Sequence, residues 1–289
     1  MNKKGFEVLS KLISYGKDIS AVVSAQDKNL LNDYFKDIKQ LCQTNDIAFY
    51  ERRENYIDRI KADYIITLGW RWLIKGKLQN NLIVSHDSLL PKYRGFSPLV
   101  NMLIKGEDDI GVTFLFASKE YDSGEIIIQK KQRIEYPIKI INAIKIVSEL
   151  FLEGVLEIYE KIERGEKLKS IPQEETKATY SVWRNEDDYL INFHESSENI
   201  KRFIDAVGYP YKGASSFIGK RKVRILDAEI YEEKCLESRD IGKVLFIKNK
   251  KPVVICKEGM IVFNEILDDI TRETILPLPK FRIKFSDRE

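Results

Sequence analysis

The chain has 289 residues, 43% of them hydrophobic and 32% charged, which suits a folded protein with one large domain or a core domain plus a smaller one. Its 48 Lys and Arg against 45 Asp and Glu leave a net charge of +3, too mild to argue for nucleic acid by itself. No apolar run reaches the roughly 18–20 residues that span a bilayer, and the opening MNKKGFEVLSKLISYG has no long apolar segment and no small-residue cleavage site, so no membrane span or secretory leader is expected.

In chain order, Phe6, Leu9, Leu12 and Ile13 recur at helical spacing and predict a helix over 5–15, ended by Gly16. ISAVVS (19–24) reads as a buried parallel strand, 27–45 as a helix, IAFY (47–50) as a short strand and 55–61 as a short helix. YIITLG (64–69) and LIVS (82–85) are further buried strands. Strands and helices thus alternate at βαβ spacing, which predicts an α/β fold with a Rossmann-like parallel sheet flanked by helices. Such a sheet normally opens with a strand, then a glycine turn, then the first helix. Here the helix comes first, so either that strand lies upstream or the fold does without it.

Farther on, Ser97 and Pro98 supply a cap and first-turn proline for a helix to about Lys105, which Gly106 ends. IGVTFLFAS (110–118) and EIIIQKKQRI (125–134) are strands joined by KEYDSG, and 140–163 is a long helix. The stretch 164–187 is polar with weak periodicity. SENIKRFIDAV (197–207) predicts a helix, and five short strands between 214 and 266 predict a small β-barrel-like domain. The expected organisation is a catalytic domain over 1–165, a linker over 166–187 and a β-rich domain over 188–289.

Few residues carry obvious chemistry. Cys42, Cys235 and Cys256 form no CxxC pair, which fits a reducing cytoplasm, and His86 and His194 form no HxH or HxxxH pair, so no metal site is expected. His86 stands where a predicted strand opens into a Leu-Leu-Pro loop. In open parallel sheets ligands bind beyond the carboxyl ends of strands, and a histidine there can move a proton near neutral pH. Asp122 and Gly124 lie in the turn between two strands, an ordinary place for Asp-x-Gly. The same turn could bring the Asp122 carboxylate beside His86, where it would orient and stabilise the charged ring. GWRWLI (69–74) follows a strand and offers either core packing or a wall for a flat ring. No G-x-G-x-x-G opens the first helix, which argues against a Rossmann oxidoreductase.

SHDSLLPKYRGFSPLVNMLIKGEDDIGVTFLFASKEYDSGEIIIQ resembles the core of the formyltransferases that use 10-formyltetrahydrofolate. DYIITLGWRWLI resembles their pterin-binding stretch, and YPYKGASSFIGKRKVRILDAEI the entry to the C-terminal domain of the methionyl-tRNA and sugar-nucleotide members. The resemblance implies His86 and Asp122 as catalytic residues. It implies a folate seat made by Trp70, Arg71, Trp72, Leu73, Leu89, Tyr121 and Asp122, and N10-formyltetrahydrofolate as formyl donor, with no metal. The chain is most similar to the sugar-nucleotide members, so the expected acceptor is the amine of a nucleotide-linked amino sugar, such as a UDP-linked 4-amino-4,6-dideoxy sugar of a pseudaminic-acid-like pathway. The alternatives are methionyl-tRNA and a folate-binding module with impaired catalysis. Ser88, Lys92, Tyr93, Arg94 and Arg202 are the expected substrate contacts. No nucleic acid or membrane partner is expected, and a homodimer is left open. The family pattern Asn-x-His is broken, because Val84 stands two residues before His86. The asparagine amide would steady the formyl oxygen; Asp87 and Ser88 are candidates to replace it, Ser85 is the nearest hydroxyl but is pointed away by strand alternation unless the strand has already turned, and a charged His86 carrying the oxyanion alone is the remaining alternative.

Overall fold

The structure is a computed structural model that describes residues 3–26, 33–53, 60–70, 72, 74 and 81–287. It divides into two compact units. The first comprises Met1–Leu99, Asp108–Ile134 and Ala143–Val182, the second Val100–Glu107, Glu135–Asn142 and Trp183–Glu289.

The first unit opens with α1 (Lys3–Ser14), whose Val8, Leu9 and Leu12 are buried at helical spacing. The chain then forms β1 (Ala21–Ser24), α2 (Phe35–Thr44) and β2 (Ala48–Glu51), with β1 and β2 pairing in parallel. The predicted helix over 27–45 is thus present as α2 in its second half, and most of its first half lies outside the described residues, as does nearly all of the helix predicted over 55–61. Leu9, Ile38 and Cys42 form the core between α1 and α2, with Trp70 packed against it.

A second sheet begins at β3 (Ile65–Ile66), which pairs in parallel with β4 (Leu82–His86). Next come β5 (Arg94–Gly95), α3 (Pro98–Lys105), β6 (Asp109–Phe116) and β7 (Ile126–Arg133). β6 runs antiparallel to both β4 and β7, because the nine residues between β6 and β7 can only turn the chain back. The parallel α/β arrangement therefore carries an antiparallel hairpin at one edge, in the order β3-β4-β6-β7. α4 (Ile140–Glu163) matches the predicted helix end to end, and its Phe151 meets Phe114 of β6 edge-on at 5.8 Å. Ser97 precedes α3 with φ of +51°, not the extended backbone of an ordinary N-cap.

The polar stretch after α4 runs back along the first unit. Ile126 and Ile171 exchange both backbone hydrogen bonds, at 2.8 and 2.9 Å. β8 (Tyr180–Ser181) then pairs in parallel with β5. Two-residue strands carry no periodicity, so neither β5 nor β8 is legible in the sequence.

In the second unit α5 (Ser197–Ala206) is capped by the Ser196 hydroxyl, which accepts from the Asn199 N–H at 3.2 Å. An antiparallel sheet follows: β9 (Ala214–Ile218), β10 (Arg221–Tyr231), β11 (Val244–Lys248), β12 (Lys251–Ile255), β13 (Met260–Asp268) and β14 (Phe285–Ser286). Its order is β11-β12-β13-β10-β9-β14. Val244 N–H donates to the Ile283 carbonyl and Phe285 N–H to the Gly242 carbonyl, so the two edge strands meet and the sheet curls into a barrel. Phe193, Phe263 and Phe285 pack inside it.

Burial raises the Cys42 thiol to about 11 and the Cys256 thiol to about 12, while Cys235 is exposed. Only a thiolate reacts readily. Alkylation of the native protein at neutral pH should label Cys235 alone, with Cys42 and Cys256 labelled only after unfolding. Peptide mass mapping checks this, and native labelling of either buried thiol would contradict it.

Candidate active site

β4 delivers His86 at its carboxyl end, the side chain buried on the same strand face as Val84. The ring is fixed by one contact: Nε2 lies 2.8 Å from the backbone carbonyl of Tyr93. A carbonyl only accepts, so Nε2 carries the proton and donates. The remaining nitrogen, Nδ1, faces the Asp122 carboxylate with 3.6 Å to Oδ2. That is ion-pair distance rather than a direct hydrogen bond. Asp122 Oδ2 in turn accepts from the Gly95 N–H at 2.9 Å.

Two backbone constraints aim these groups. Tyr93 and Asp122 both adopt left-handed φ, +60° and +56°. Gly124 lies so close to β6 that a Cβ there would fall 1.8 Å from the Phe116 carbonyl oxygen, so only glycine lets the turn fold onto the strand.

The loop 88–95 is fastened to the hairpin beneath it. Thr113 Oγ1 donates to the Ser88 carbonyl at 2.7 Å and accepts from the Leu90 N–H at 3.1 Å. Gln129 Nε2 donates to the Leu90 carbonyl at 2.8 Å and to Thr113 Oγ1 at 2.9 Å. Thr113 is a polar residue within an apolar strand, which is the one sequence signal that points to this fastening.

Arg94, one of the expected substrate contacts, is buried and engaged within the first unit. Its side chain is only 2% exposed. Nε and Nη2 donate to Gln173 Oε1 at 3.1 and 2.8 Å, and Nη1 and Nη2 donate to the two Glu175 carboxylate oxygens at 2.8 and 2.7 Å. Nη1 also lies 3.5 Å from the Tyr180 hydroxyl. Those contacts use all five guanidinium protons, so Arg94 has none left for a phosphate. The Glu175 carboxylate pushes the guanidinium pKa upward, and Arg94 pulls that of Glu175 down.

Gln173 passes the restraint on. Its Nε2 donates to the backbone carbonyls of Asp122 and Gly124 at 2.7 and 2.8 Å. Gln173 and Glu175 thus tie the polar stretch to the Asp122 turn through a buried arginine, and sequence reasoning missed both.

The three residues nominated to replace the missing asparagine amide are committed elsewhere. The Ser85 hydroxyl donates to the Thr67 carbonyl, the Asp87 carboxylate pairs with Lys4, and the Ser88 hydroxyl donates to the Lys92 carbonyl at 2.7 Å. Lys92 is exposed, Leu89 half-buried and Tyr121 76% exposed. Arg202 belongs to the second unit, where it bonds Asn199 and lies beside the Tyr136 ring. Trp70 packs into the α1–α2 core, Trp72 meets it edge-on at 5.1 Å, and the Arg52 guanidinium lies 4.9 Å from the Trp72 ring centroid. Arg71 and Leu73 lie outside the described residues. Among the described residues no group of three His, Cys, Asp or Glu could hold a metal ion.

Removing the Gln173 amide leaves part of a buried guanidinium and two turn carbonyls without partners. An unmet buried polar group costs about 1–3 kcal/mol. Gln173→Ala should therefore lower unfolding free energy by about 2–3 kcal/mol, and Glu175→Gln should cost less because water reaches that carboxylate. Urea denaturation checks the order, and equal effects would contradict the strut.

Comparison with known proteins gives the family of the chain. The family described as "Formyl transferase" matches residues 7–138, and "Formyl transferase, C-terminal domain" matches residues 184–272. A methionyl-tRNA formyltransferase of Syntrophomonas wolfei is 28% identical over 273 residues, covering 89% of this chain and 86% of that protein. A crystal structure of an N-formyltransferase from Helicobacter canadensis, in complex with folinic acid and dTDP-3-aminofucose, shares the fold with a TM-score of 0.65 at 19% identity, covering 91% of this chain and 96% of that one. HypX from Aquifex aeolicus, in complex with tetrahydrofolic acid, shares it with a TM-score of 0.65 at 19% identity, over 95% of this chain and 44% of HypX. With both family signatures in order along most of its length, this chain belongs to the formyl transferase family.

Proposed function

We propose that the protein transfers the formyl group of N10-formyltetrahydrofolate to the amine of a nucleotide-linked amino sugar, in the cytoplasm. The observation that carries the chemistry is the disposition of His86. Tyr93 holds the proton on Nε2, so any proton the ring gains arrives on Nδ1, the atom that faces Asp122.

The step balances as follows. The acceptor nitrogen forms a bond to the formyl carbon, and the C=O electron pair moves onto oxygen. Nδ1 of His86 takes the proton released from that nitrogen. The oxygen's electron pair then re-forms C=O as the carbon–N10 bond breaks, the bond's electron pair stays on N10, and Nδ1 returns the proton there. While His86 is charged, the Asp122 carboxylate stabilises it, and Gly95 holds the carboxylate in place. With Ser85, Asp87 and Ser88 engaged elsewhere, the positive charge that His86 gains when Nδ1 takes the proton is left to stabilise the oxyanion. A folate suits the residues present: apolar, half-buried Leu89 lies beyond the carboxyl end of β4, half-buried Val84 lies within β4 two residues before His86, and half-buried Trp72 follows adjacent β3.

The charge of the second unit supports a sugar acceptor over a tRNA. Residues 183–289 carry 20 Lys and Arg against 19 Asp and Glu. Many of those cations are held internally: Lys212, Lys222 and Arg224 by Glu186, Arg221 by Asp268, Arg239 by Glu233 and Lys243 by Asp240. A surface that grips many phosphates needs unpaired cations and loses affinity steeply with salt. The methionyl-tRNA formyltransferases among the relatives make tRNA the competing acceptor. Formylation is to be read by product mass on a panel of UDP- and dTDP-linked amino sugars and on methionyl-tRNA, with His86→Ala as control. The expected result is one formyl group gained by a nucleotide sugar, and a loss of about 10²–10⁴-fold in His86→Ala. Formylation of methionyl-tRNA alone would refute the acceptor, and an active His86→Ala the mechanism.

Val84→Asn tests the oxyanion argument separately. It places an amide on the His86 face of β4, and one such donor is worth about 10²–10³-fold in kcat. Because Ser85, Asp87 and Ser88 are engaged, the amide should raise kcat about tenfold or more while KM for the formyl donor stays nearly constant. A fall in kcat would mean that another group already holds the oxyanion.

A further inference from the structure

Asp87 follows His86 directly, where β4 ends, and its carboxylate is paired with the Lys4 ammonium in the first turn of α1. Both charges are largely withdrawn from water, with side-chain exposures of 9% for Lys4 and 20% for Asp87. The ammonium also lies 5.4 Å from the centroid of the Phe151 ring of α4. A lysine is seldom buried in this way, and desolvation offsets much of what such a pair gains. Stability therefore does not account for a buried pair placed one residue from His86.

Side chains alternate along β4, so Val84 and His86 face one side of the sheet and Ser85 the other. Ser85 stands opposite Phe114 of β6, whose ring meets Phe151. Lys4 lies against the same Phe151 ring, which puts the Lys4–Asp87 pair on the α4 side of the sheet and His86 on the opposite side. The pair is thus outside the space in which His86 meets a substrate, yet the Asp87 charge is one residue away. Two carboxylates bracket the histidine: Asp122, 3.6 Å from Nδ1, and Asp87 behind the strand. The other charged groups here are accounted for. Lys3 pairs with Glu7 on α1 at 3.2 Å, Arg94 is held by Glu175, Lys92 is exposed, and α4 meets Lys4 with an uncharged ring. Two carboxylates acting together would hold a proton on the ring and repel the negative charge that develops on the formyl oxygen. A base that keeps its proton too firmly returns it slowly to N10. The Lys4 ammonium cancels Asp87 at short range and leaves Asp122 as the carboxylate that governs the ring.

We propose that Lys4 is a positioning residue for formyl transfer: it pins Asp87, and with it the end of β4, and cancels a carboxylate that otherwise competes with Asp122 for control of His86. It touches no substrate and acts through Asp87. The proposal rests on the reading of His86 as the proton carrier and is independent of which acceptor the enzyme uses.

The test follows the His86 ring by proton NMR titration, which is simple because the chain has only 2 histidines, and compares it with the pH profile of kcat/KM for formyl transfer. Lys4→Met leaves the Asp87 charge uncancelled and should move the His86 titration, and the acid limb of the rate profile, to higher pH by about half a unit or more. Asp87→Asn leaves the Lys4 charge uncancelled and should move both to lower pH. Lys4→Arg and the double variant Lys4→Met/Asp87→Asn should both stay close to the unsubstituted protein. Shifts of opposite sign in the two single variants, cancelled in the double, are not what a purely structural contact produces. Unchanged titration, or shifts of the same sign, would overturn the proposal. Lys4→Met strands a partly buried charge; if it does not fold, Asp87→Asn and the double variant carry the test on the same terms. The expected shifts in a protein that formylates no acceptor would sink the transferase reading and uphold the coupling, whereas absent shifts in an active enzyme would overturn the coupling alone.

Discussion

A guanidinium stays charged at any pH a protein meets, so burying one obliges the fold to answer each of its protons. Arg94 sets that obligation in the first unit. Its five donors are met by Gln173, Glu175 and the Tyr180 hydroxyl, three residues of one polar stretch far along the chain. That stretch must therefore return to the loop after β4. Once there, it lays β8 beside β5 and puts the Gln173 amide on the Asp122 turn. A buried ion pair is poor evidence of added stability, because desolvation offsets the attraction. Its effect here is positional: three segments distant in sequence acquire one relative placement.

The placement matters because the His86–Asp122 contact is loose on its own. At 3.6 Å no hydrogen bond holds the two side chains together. Each is fixed from behind, His86 by the Tyr93 carbonyl and Asp122 by the Gly95 N–H. Tyr93, Arg94 and Gly95 are consecutive, so one short segment orients the histidine, anchors the strut and holds the carboxylate. The arrangement also fixes the tautomer: the Tyr93 carbonyl holds a proton on Nε2, and Nδ1 is the nitrogen that faces Asp122. Groups held by rigid backbone partners need no rearrangement as charge develops, which is the condition under which such charges act strongly.

How much of this is legible in the sequence depends on the range over which each signal acts. α4 is readable to the residue because 24 positions repeat one helical period. His86 and Asp122 are readable because they sit at the ends of clear strands and in a specific motif. β3 is shorter than YIITLG promises, since a strand edge without a neighbour forms little ladder. Arg94 reads as a surface cation, and only the fold reveals that Gln173 and Glu175 consume it. A polar, aperiodic stretch looks like a linker because its constraints are all tertiary. The same blindness affects Ser85 and Ser88, whose hydroxyls look available until their carbonyl partners are known.

Counting charged residues therefore says little about which charges are available to a ligand. In the second unit Arg224 repeats the solution found at Arg94: it is 1% exposed and donates to Glu186, Asp269 and the Gly213 carbonyl. Glu186 lies near the end of the polar stretch, so a buried arginine again draws a distant segment onto a sheet. A cation so used shapes the fold and adds almost nothing to the field a phosphate would feel, since its partner cancels it at short range. Several of the cations in residues 183–289 are committed in this way to carboxylates of the same unit.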